Sequence, residues 1–196
     1  MAAWNVETRP DWDFPNPMSR QDVLDIVGCV VDVDSAERAF VAIMIWGYGS
    51  TGYGPHRVGE MRKSRSEGLG EYLLRIHQEA REGPAEAYRV MASDKARKLG
   101  PSYASKVAYF VTSGEVSPIL DSLVAQWISN QHQGKRLFNS QKWSTPQYLD
   151  FQSYCQELLD NVSSEVPEDH RTLGLVEYLM FVDQTSMALP NWARTI

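Results

Sequence analysis

Two residues in the middle of the chain, Lys106 and Asp121, have the types and the spacing to do chemistry. Lys106 lies in the first turns of a predicted helix, and its neighbours Ala104, Val107 and Ala108 would desolvate its amine. A desolvated amine that has lost its proton is a nucleophile. Asp121 lies near the start of the next predicted helix, where the helix dipole favours negative charge. Such a pair suits cleavage of an N-glycosidic bond: the amine attacks C1′ and the carboxylate stabilises the cationic sugar.

The same two residues also have a purely structural interpretation. Lys106 could be an ordinary amphipathic lysine that extends its ammonium group to solvent. Asp121 could serve only as a helix cap. The spacing alone favours this structural alternative over the catalytic one.

The elements that would position the pair are helices, and the predicted fold class is all-α. Prolines and aromatic residues in segment 1–18 predict an extended strap over the core. Ser19 and Ser35 are the predicted N-caps of the first two helices, and no alternating strand pattern exceeds four residues. We expect a single domain over residues 1–196, with helices at roughly 19–30, 36–46, 57–64, 66–82, 84–92, 103–111, 118–130, 145–163 and 168–182.

A glycine-rich stretch separates the second and third predicted helices. Residues 46–55 contain four glycines and Pro55. This composition sustains neither a helix nor a strand. We therefore expect a flexible connection that carries Tyr48 and Tyr53.

The overall charge argues against simple nucleic-acid binding, but its distribution does not. The net charge is −6, whereas DNA-binding proteins are usually basic. Residues 56–106 are nevertheless net positive between two acidic segments, so a polyanion could bind there. The alternative is an ordinary solvated surface of mixed charge.

Composition and motifs exclude several other classes of protein. With 43% hydrophobic and 22% charged residues the chain is typical of a globular protein. The longest apolar runs are too short to span a bilayer, and the N-terminus lacks a secretory signal pattern, so we expect a cytoplasmic protein without membrane contact. Cys29 and Cys155 are predicted to be buried free thiols. Two cysteines cannot hold an iron–sulfur cluster, and the histidines lack metal-ligand spacing, so neither metal nor cofactor is expected.

Two sequence segments resemble a known family. Leu99-Gly100, Lys106-Val107-Ala108 and the segment Ile119-Leu-Asp-Ser-Leu-Val124 are similar to the helix–hairpin–helix DNA glycosylase superfamily, in particular its 8-oxoguanine glycosylase branch. The stretch from Trp46 to Arg57 resembles bacterial proteins with an 8-oxoguanine glycosylase fold. The resemblance implies an all-α fold with a helix–hairpin–helix element over residues 98–124 and a central cleft. It also implies that Lys106 is the Schiff-base nucleophile and Asp121 the catalytic carboxylate.

The hairpin and the base pocket depart from the family pattern. The family hairpin reads G-x-G-x-K, whereas here Gly100 lies six residues before Lys106 and the second glycine is absent. Gly100 and Ser102 are the expected DNA contacts of this hairpin. Phe110 stands where an archaeal-type enzyme stacks an aromatic ring on the extruded base, although Phe110 equally fits a plain core position. Trp192 is a second candidate for the base pocket.

The resemblance also indicates which residues would contact duplex DNA. In such enzymes a loop between early helices enters the duplex and fills the space of the flipped nucleotide. Tyr48, Tyr53, His56 and Arg57 have the chemistry for this role, or else they belong to a packed connection. The basic residues Arg62 and Lys63 are expected to contact phosphates or to be merely solvated.

The function implied is a monomeric DNA glycosylase, with lyase ability, that acts on a modified base in double-stranded DNA. The base would be 8-oxoguanine or a hypermodified phage base such as glucosylated 5-hydroxymethylcytosine. The DNA would be that of a bacterial nucleoid or of a phage, and a phage substrate would imply anti-phage defence. The alternatives are a catalytically idle helix–hairpin–helix module of a larger assembly and a helical interaction protein. Lys106 and Asp121 favour an enzyme over an idle module, and the basic middle segment favours either over an interaction protein.

Overall fold

The computed structural model describes residues 12–49, 53–83, 85–162 and 166–187. Over this part of the chain the regular structure is entirely helical, which confirms the predicted fold class. The α-helices are α1 (Arg20–Gly28), α2 (Val33–Tyr48), α3 (Tyr53–Ser64), α4 (Leu69–Glu79), α5 (Glu86–Ser93), α6 (Pro101–Val111), α7 (Ser122–Gln131), α8 (Thr145–Val162) and α9 (Leu173–Thr185).

Two helices form the centre of the core. Helix α2 is buried on nearly all sides from Ala36 to Ile45 and packs against α1, α3, α4 and α6. Helix α6 begins with Pro101, which needs no amide partner in a first turn, and is buried from Ala104 to Phe110. Both helices are apolar around most of their circumference, as expected of central helices. Helix α9 packs against α7 and α8 and closes the other side of the core.

Helix α9 crosses the turn after α6 at very short range. The amide of Gly174 donates to the carbonyl oxygen of Gly114 over 3.1 Å, and the amide of Leu173 donates to that of Glu115 over 2.9 Å. A Cβ at position 174 would lie 2.3 Å from the Gly114 carbonyl oxygen. Gly114 itself has φ of +74°, a backbone conformation that favours glycine. These two glycines therefore fix where α9 lies against α6.

Two predicted helix starts were wrong. Helix α2 is capped by Asp32, while Ser35 is the third helical residue and completes the capping box. Pro118 does not open a helix: residues 118–120 are non-helical, and α7 begins after its N-cap Asp121. Long-range hydrogen bonds cause this difference, because the backbone of Leu120 pairs with a side chain of α6 rather than with a helical turn.

Three further sequence expectations need correction. Helix α2 extends to Tyr48 and helix α3 begins at Tyr53, so both helices reach into the glycine-rich stretch. Gly54 and Pro55 are tolerated there because they lie in the first turn of α3. The predicted helix over 168–182 is a 3-10 turn, Glu168–His170, followed by α9 with Thr172 as N-cap. Cys155 is a buried free thiol, as predicted, but Cys29 is exposed because it follows the last turn of the short helix α1.

The described part of the strap, from Trp12 to Met18, contains no helix, and it buries Trp12 and Phe14 against the core. None of the helices in the described ranges is long and apolar enough to cross a membrane. Among the same residues, no group of three or more His, Cys, Asp or Glu side chains could hold a metal ion.

Candidate active site

Helix α6 and the segment before α7 bring Lys106 and Asp121 into direct contact. The Lys106 Nζ atom lies 3.1 Å from Asp121 Oδ2. The lysine is 8% exposed, so its amine is largely withdrawn from solvent, and the aspartate is half-buried. The two residues that the sequence paired are therefore one hydrogen-bonded unit.

A buried serine, Ser105, fixes the distance between the two residues. Its Oγ accepts a hydrogen bond from the Leu120 amide over 3.0 Å and donates to the Ser102 carbonyl oxygen over 2.8 Å. Ser105 directly precedes Lys106, and Leu120 directly precedes Asp121. One hydroxyl thus ties together the two backbone positions from which the Lys106 and Asp121 side chains project.

Asp121 is held by the first turn of α7. Its Oδ1 accepts hydrogen bonds from the amides of Leu123 and Val124, over 3.0 and 3.1 Å. These bonds make Asp121 the N-cap of α7, and they leave Oδ2 directed at Lys106. The capping role and the contact with the lysine are carried by different oxygen atoms, so one does not exclude the other.

The pair forms part of the wall of a cavity of about 500 Å³. This volume lies within the range of small-molecule sites in proteins. The side chains around the cavity include both aromatic and charged groups. Its lining consists of Arg20, Trp46, Gly47, Ser102, Lys106, Ile119, Asp121, Ser122, Leu123, Glu177, Tyr178 and Phe181.

The cavity contains a second carboxyl group, Glu177, which the sequence analysis missed. Glu177 is 1% exposed. Burial raises its pKa from the ordinary 4.5 to about 7, although the positive charges of Arg20 and Lys106 oppose the shift. A local signal existed, because Glu177 is the only charged residue between Leu173 and Val182 in an otherwise apolar helix. A charged residue at such a position is rarely buried without a partner or a function.

Arg20 is the partner of Glu177 and also lines a neighbouring cavity. Its Nη1 lies 3.3 Å from Glu177 Oε2 and donates to the Tyr109 hydroxyl over 3.2 Å. The guanidinium carbon also lies 5.3 Å from the ring centroids of both Trp46 and Tyr178. Arg20 and Tyr178 line both this cavity and another of about 480 Å³. Arg20 therefore contributes to both cavities, and aromatic rings surround its guanidinium group.

The aromatic residues that line the cavity are Trp46, Tyr178 and Phe181, and Phe110 is not one of them. Phe110 is 1% exposed and packs edge-on against Trp46, with ring centroids 5.1 Å apart. It is not among the residues that line the cavity. Its position favours the core alternative, in which Phe110 supports the ring that faces the cavity. Trp192, the other candidate for the base pocket, lies outside the described residues.

The residues predicted to enter the duplex form an aromatic cluster at the α2–α3 junction. Tyr48 stacks on Tyr103 with ring centroids 4.3 Å apart, and the Arg57 guanidinium lies 4.9 Å from the ring centroid of Tyr53. Tyr53 is 59% exposed, and its ring lies 6.4 Å from that of His56. The cluster is partly packed and partly open to solvent. Its contact with DNA remains a prediction.

The remaining predicted DNA contacts lie in different environments. Arg62 forms an ion pair with Glu37 over 2.5 Å. Lys63 is 78% exposed and lies 3.4 Å from Glu60. In the turn before α6, Gly100 is the N-cap position, and Ser102 in the first turn of the helix lines the cavity. Of this group, only Ser102 is next to the Lys106–Asp121 pair.

Comparison with known proteins identifies one family. Residues 2–181 match the family model described as "Putative 8-oxoguanine DNA glycosylase OGG-like protein". No curated protein and no solved structure gives a significant match. The match covers almost the whole chain, including every residue of the cavity described above. The chain therefore belongs to the 8-oxoguanine DNA glycosylase-like family.

Proposed function

We propose that this protein excises a modified base from duplex DNA and then nicks the abasic strand. The observation that carries the proposal is the position of Lys106 Nζ, 3.1 Å from Asp121 Oδ2, at the wall of a cavity of about 500 Å³. A nucleophile and a carboxylate within reach of one sugar are what glycosidic cleavage with Schiff-base formation requires. The reacting nucleotide must leave the duplex to reach this cavity.

Lys106 acts as the nucleophile of the first step. Its ammonium group first gives up a proton to solvent. The neutral amine then bonds to C1′ while the glycosidic bond breaks, and the bonding electrons leave with the base, which takes up a proton. Asp121 remains beside the sugar and stabilises the positive charge that develops on the ring. The C1′–O4′ bond then breaks, a proton moves from nitrogen to O4′, and a Schiff base remains. Loss of a C2′ proton expels the 3′-phosphate and nicks the strand.

Glu177 supplies the proton for the departing base. It lines the same cavity as Lys106, and its pKa of about 7 leaves much of it protonated at neutral pH. The ion pair with Arg20 orients the carboxyl group. A carboxylic acid that is kept partly neutral by burial can donate to a leaving group, whereas an exposed one cannot.

Two classes of base are candidates for the cavity. Oxidised guanine is the base in the name of the family. The alternative is a hypermodified pyrimidine of phage DNA, such as glucosylated 5-hydroxymethylcytosine, which would make the protein an anti-phage enzyme. Trp46, Tyr178 and Phe181 give aromatic faces for either base, and Arg20 and Glu177 give polar groups for its substituents.

The test is a panel of duplexes with a single modified base. Each is incubated with the protein, the released base is identified by mass spectrometry, and strand nicking is followed on a denaturing gel. We expect release of one class of modified base, accompanied by nicking, and no release from unmodified DNA. Binding to all duplexes without release of any base would favour the alternative, an idle helix–hairpin–helix module. Release without nicking would leave a glycosylase that lacks the lyase step.

A further inference from the structure

A long segment next to the active site contains no acidic residue. From Ser122 to Leu149 the sequence has no Asp or Glu, although the chain contains 25 of them and has a net charge of −6. The same segment carries the cations Lys135, Arg136 and Lys142. It comprises α7, the connection after it and the first turn of α8. We call it the acid-free segment.

The acid-free segment forms a polar groove that meets the catalytic cavity. The groove has a volume of about 430 Å³. Ser122, the residue after Asp121, lines both the groove and the catalytic cavity. The two spaces therefore adjoin at the catalytic carboxylate. The groove is lined by Ser122, Ala125, Gln126, Ser129, Gly134, Arg136, Ser140 and Gln141.

The cations of the acid-free segment are available for an external anion. Lys135, Arg136 and Lys142 are exposed, and no carboxylate in the described ranges forms an ion pair with any of them. The cations of the basic middle segment differ, because many of them have acidic partners within the protein. These are Arg62, Lys63, Arg65, Arg75, Arg89 and Arg97.

We propose that this groove binds the sugar–phosphate backbone of the DNA strand that flanks the nucleotide in the catalytic cavity. The inference rests on the proposed function, because that function places a nucleotide between Lys106 and Asp121. The strand on one side of this nucleotide then leaves the cavity past Ser122 and enters the groove. Arg136 contacts a phosphate in the groove, and Lys135 adds positive charge at the edge of the groove.

The chemistry of the lining fits a phosphate backbone better than a base. Serine hydroxyls, glutamine amides and an arginine are donors that commonly contact phosphate oxygens. No aromatic residue of the described part of the chain lines the groove, so it offers no stacking platform for a base. The groove would therefore position the strand without reading its sequence.

The test compares two double variants that each remove two positive charges. Lys135→Gln with Arg136→Gln changes the groove. Arg81→Gln with Arg89→Gln is the control, since both arginines are exposed and neither lines the groove or the catalytic cavity. Binding is measured against salt concentration on a duplex that contains a tetrahydrofuran abasic-site analogue, so the identity of the target base is not needed.

We expect the groove variant to reduce the slope of log K against log salt by about 2, because each phosphate contact in B-DNA contributes about 0.9. The control variant should keep the wild-type slope, and both should keep the wild-type melting temperature. If the slope were unchanged in the groove variant, or fell equally in the control variant, the proposal that the groove binds the DNA backbone would be wrong. The proposed function would remain intact. Wild-type protein that binds no DNA would count against both.

A second measurement locates the contact on the strand. Uncharged methylphosphonate linkages replace the phosphates next to the abasic-site analogue, first on one side and then on the other. On the side that the groove holds, the replacement should lower the slope of log K against log salt for the wild type. The same replacement should not lower this slope any further for the groove variant. Additive losses on both sides would show that the groove does not hold the flanking backbone.

Discussion

Asp121 divides its two carboxylate oxygens between a helix and Lys106. Oδ1 caps α7 through the amides of Leu123 and Val124, while Oδ2 lies 3.1 Å from Lys106 Nζ. The cap fixes the orientation of the carboxylate, and Ser105 fixes the backbone before it. The proposed catalytic pair is therefore held by hydrogen bonds that do not depend on substrate, as preorganised electrostatic stabilisation requires.

The charge of Asp121 should be essential for base release but not for the cap of α7. We expect Asp121→Asn to lower the single-turnover rate of base release by about a hundredfold or more, the usual effect of removing one preorganised electrostatic group. Asparagine is as good an N-cap as aspartate, so the cap of α7 should survive, and a fall in melting temperature would report the loss of the charge partner of the buried Lys106. DNA binding should remain intact or become tighter. Full base release by Asp121→Asn would refute the role of the carboxylate.

An alanine variant separates capping from catalysis. Asp121→Ala removes both the charge and the cap, and it should cost about 1 kcal/mol in the free energy of unfolding. Urea unfolding of the asparagine and alanine variants measures this difference. Equal destabilisation in both would mean that the Oδ1 hydrogen bonds do not stabilise α7.

Lys106 should form the covalent intermediate. Borohydride should trap the wild-type protein on its DNA substrate, and it should fail to trap Lys106→Gln, because the amide side chain cannot form a Schiff base. The exposed lysine Lys95 gives a control, and Lys95→Gln should be trapped like the wild type. Trapping is read as a shifted band on a denaturing gel. A band that persists in Lys106→Gln would place the nucleophile elsewhere.

Ser105 should act as a positioning residue for the pair. We expect Ser105→Ala to lower the free energy of unfolding by about 1–3 kcal/mol, because the buried amide of Leu120 loses its hydrogen-bond partner. It should lower kcat while KM changes little, since the hydroxyl lies behind the pair. Thr112→Ala is the control, because the Thr112 hydroxyl bonds only carbonyls of its own helix. A loss of stability with an unchanged kcat would reduce Ser105 to a structural role.

Glu177 should make stability fall as pH rises. Its folded-state pKa of about 7 is above the ordinary 4.5, so the folded protein binds this proton more tightly than the unfolded chain does. Wild-type stability should therefore decline between about pH 4.5 and 7 and level off above pH 7. This shift of the Glu177 pKa corresponds to a change of up to about 3 kcal/mol in the free energy of unfolding.

The comparison with Glu177→Gln isolates this titration. Glutamine does not titrate, so the stability of the variant relative to wild type should rise from pH 5 to pH 8 in urea unfolding. The exposed Glu157→Gln should follow the wild-type pH dependence. If Glu177→Gln also followed the wild type, the buried carboxyl would not carry a raised pKa.

Gly174 should be intolerant of any side chain. Alanine would place its Cβ 2.3 Å from the carbonyl oxygen of Gly114, so α9 must move away from α6, at a cost of about 1–3 kcal/mol. The shift would also displace Glu177, one turn later. At Gly28 a Cβ meets nothing within 4 Å, and Gly28→Ala should leave stability nearly unchanged. Thermal melting of the two variants measures the contrast.

The sequence by itself determined the helical class and the approximate positions of the helices, and it pointed to Lys106 and Asp121 as candidates for the chemistry. Helical periodicity, caps and prolines act over a few residues, so they can be recognised along the chain without knowledge of distant contacts. Lys106 and Asp121 could be paired because they lie only fifteen residues apart, on consecutive elements. The family resemblance of the same segment is confirmed by the match over residues 2–181.

Only the tertiary structure decided the environment of these residues. Arg20 and Glu177 are 157 positions apart, and no local pattern shows that they form one ion pair in the catalytic cavity. The helix predicted from Pro118 was wrong because Ser105, on another element, binds the backbone of Leu120. The basic middle segment suggested a DNA surface, but several of its cations are paired with acids brought near by folding. Burial and charge pairing depend on neighbours that are distant in sequence, which is why they emerge only when the helices pack.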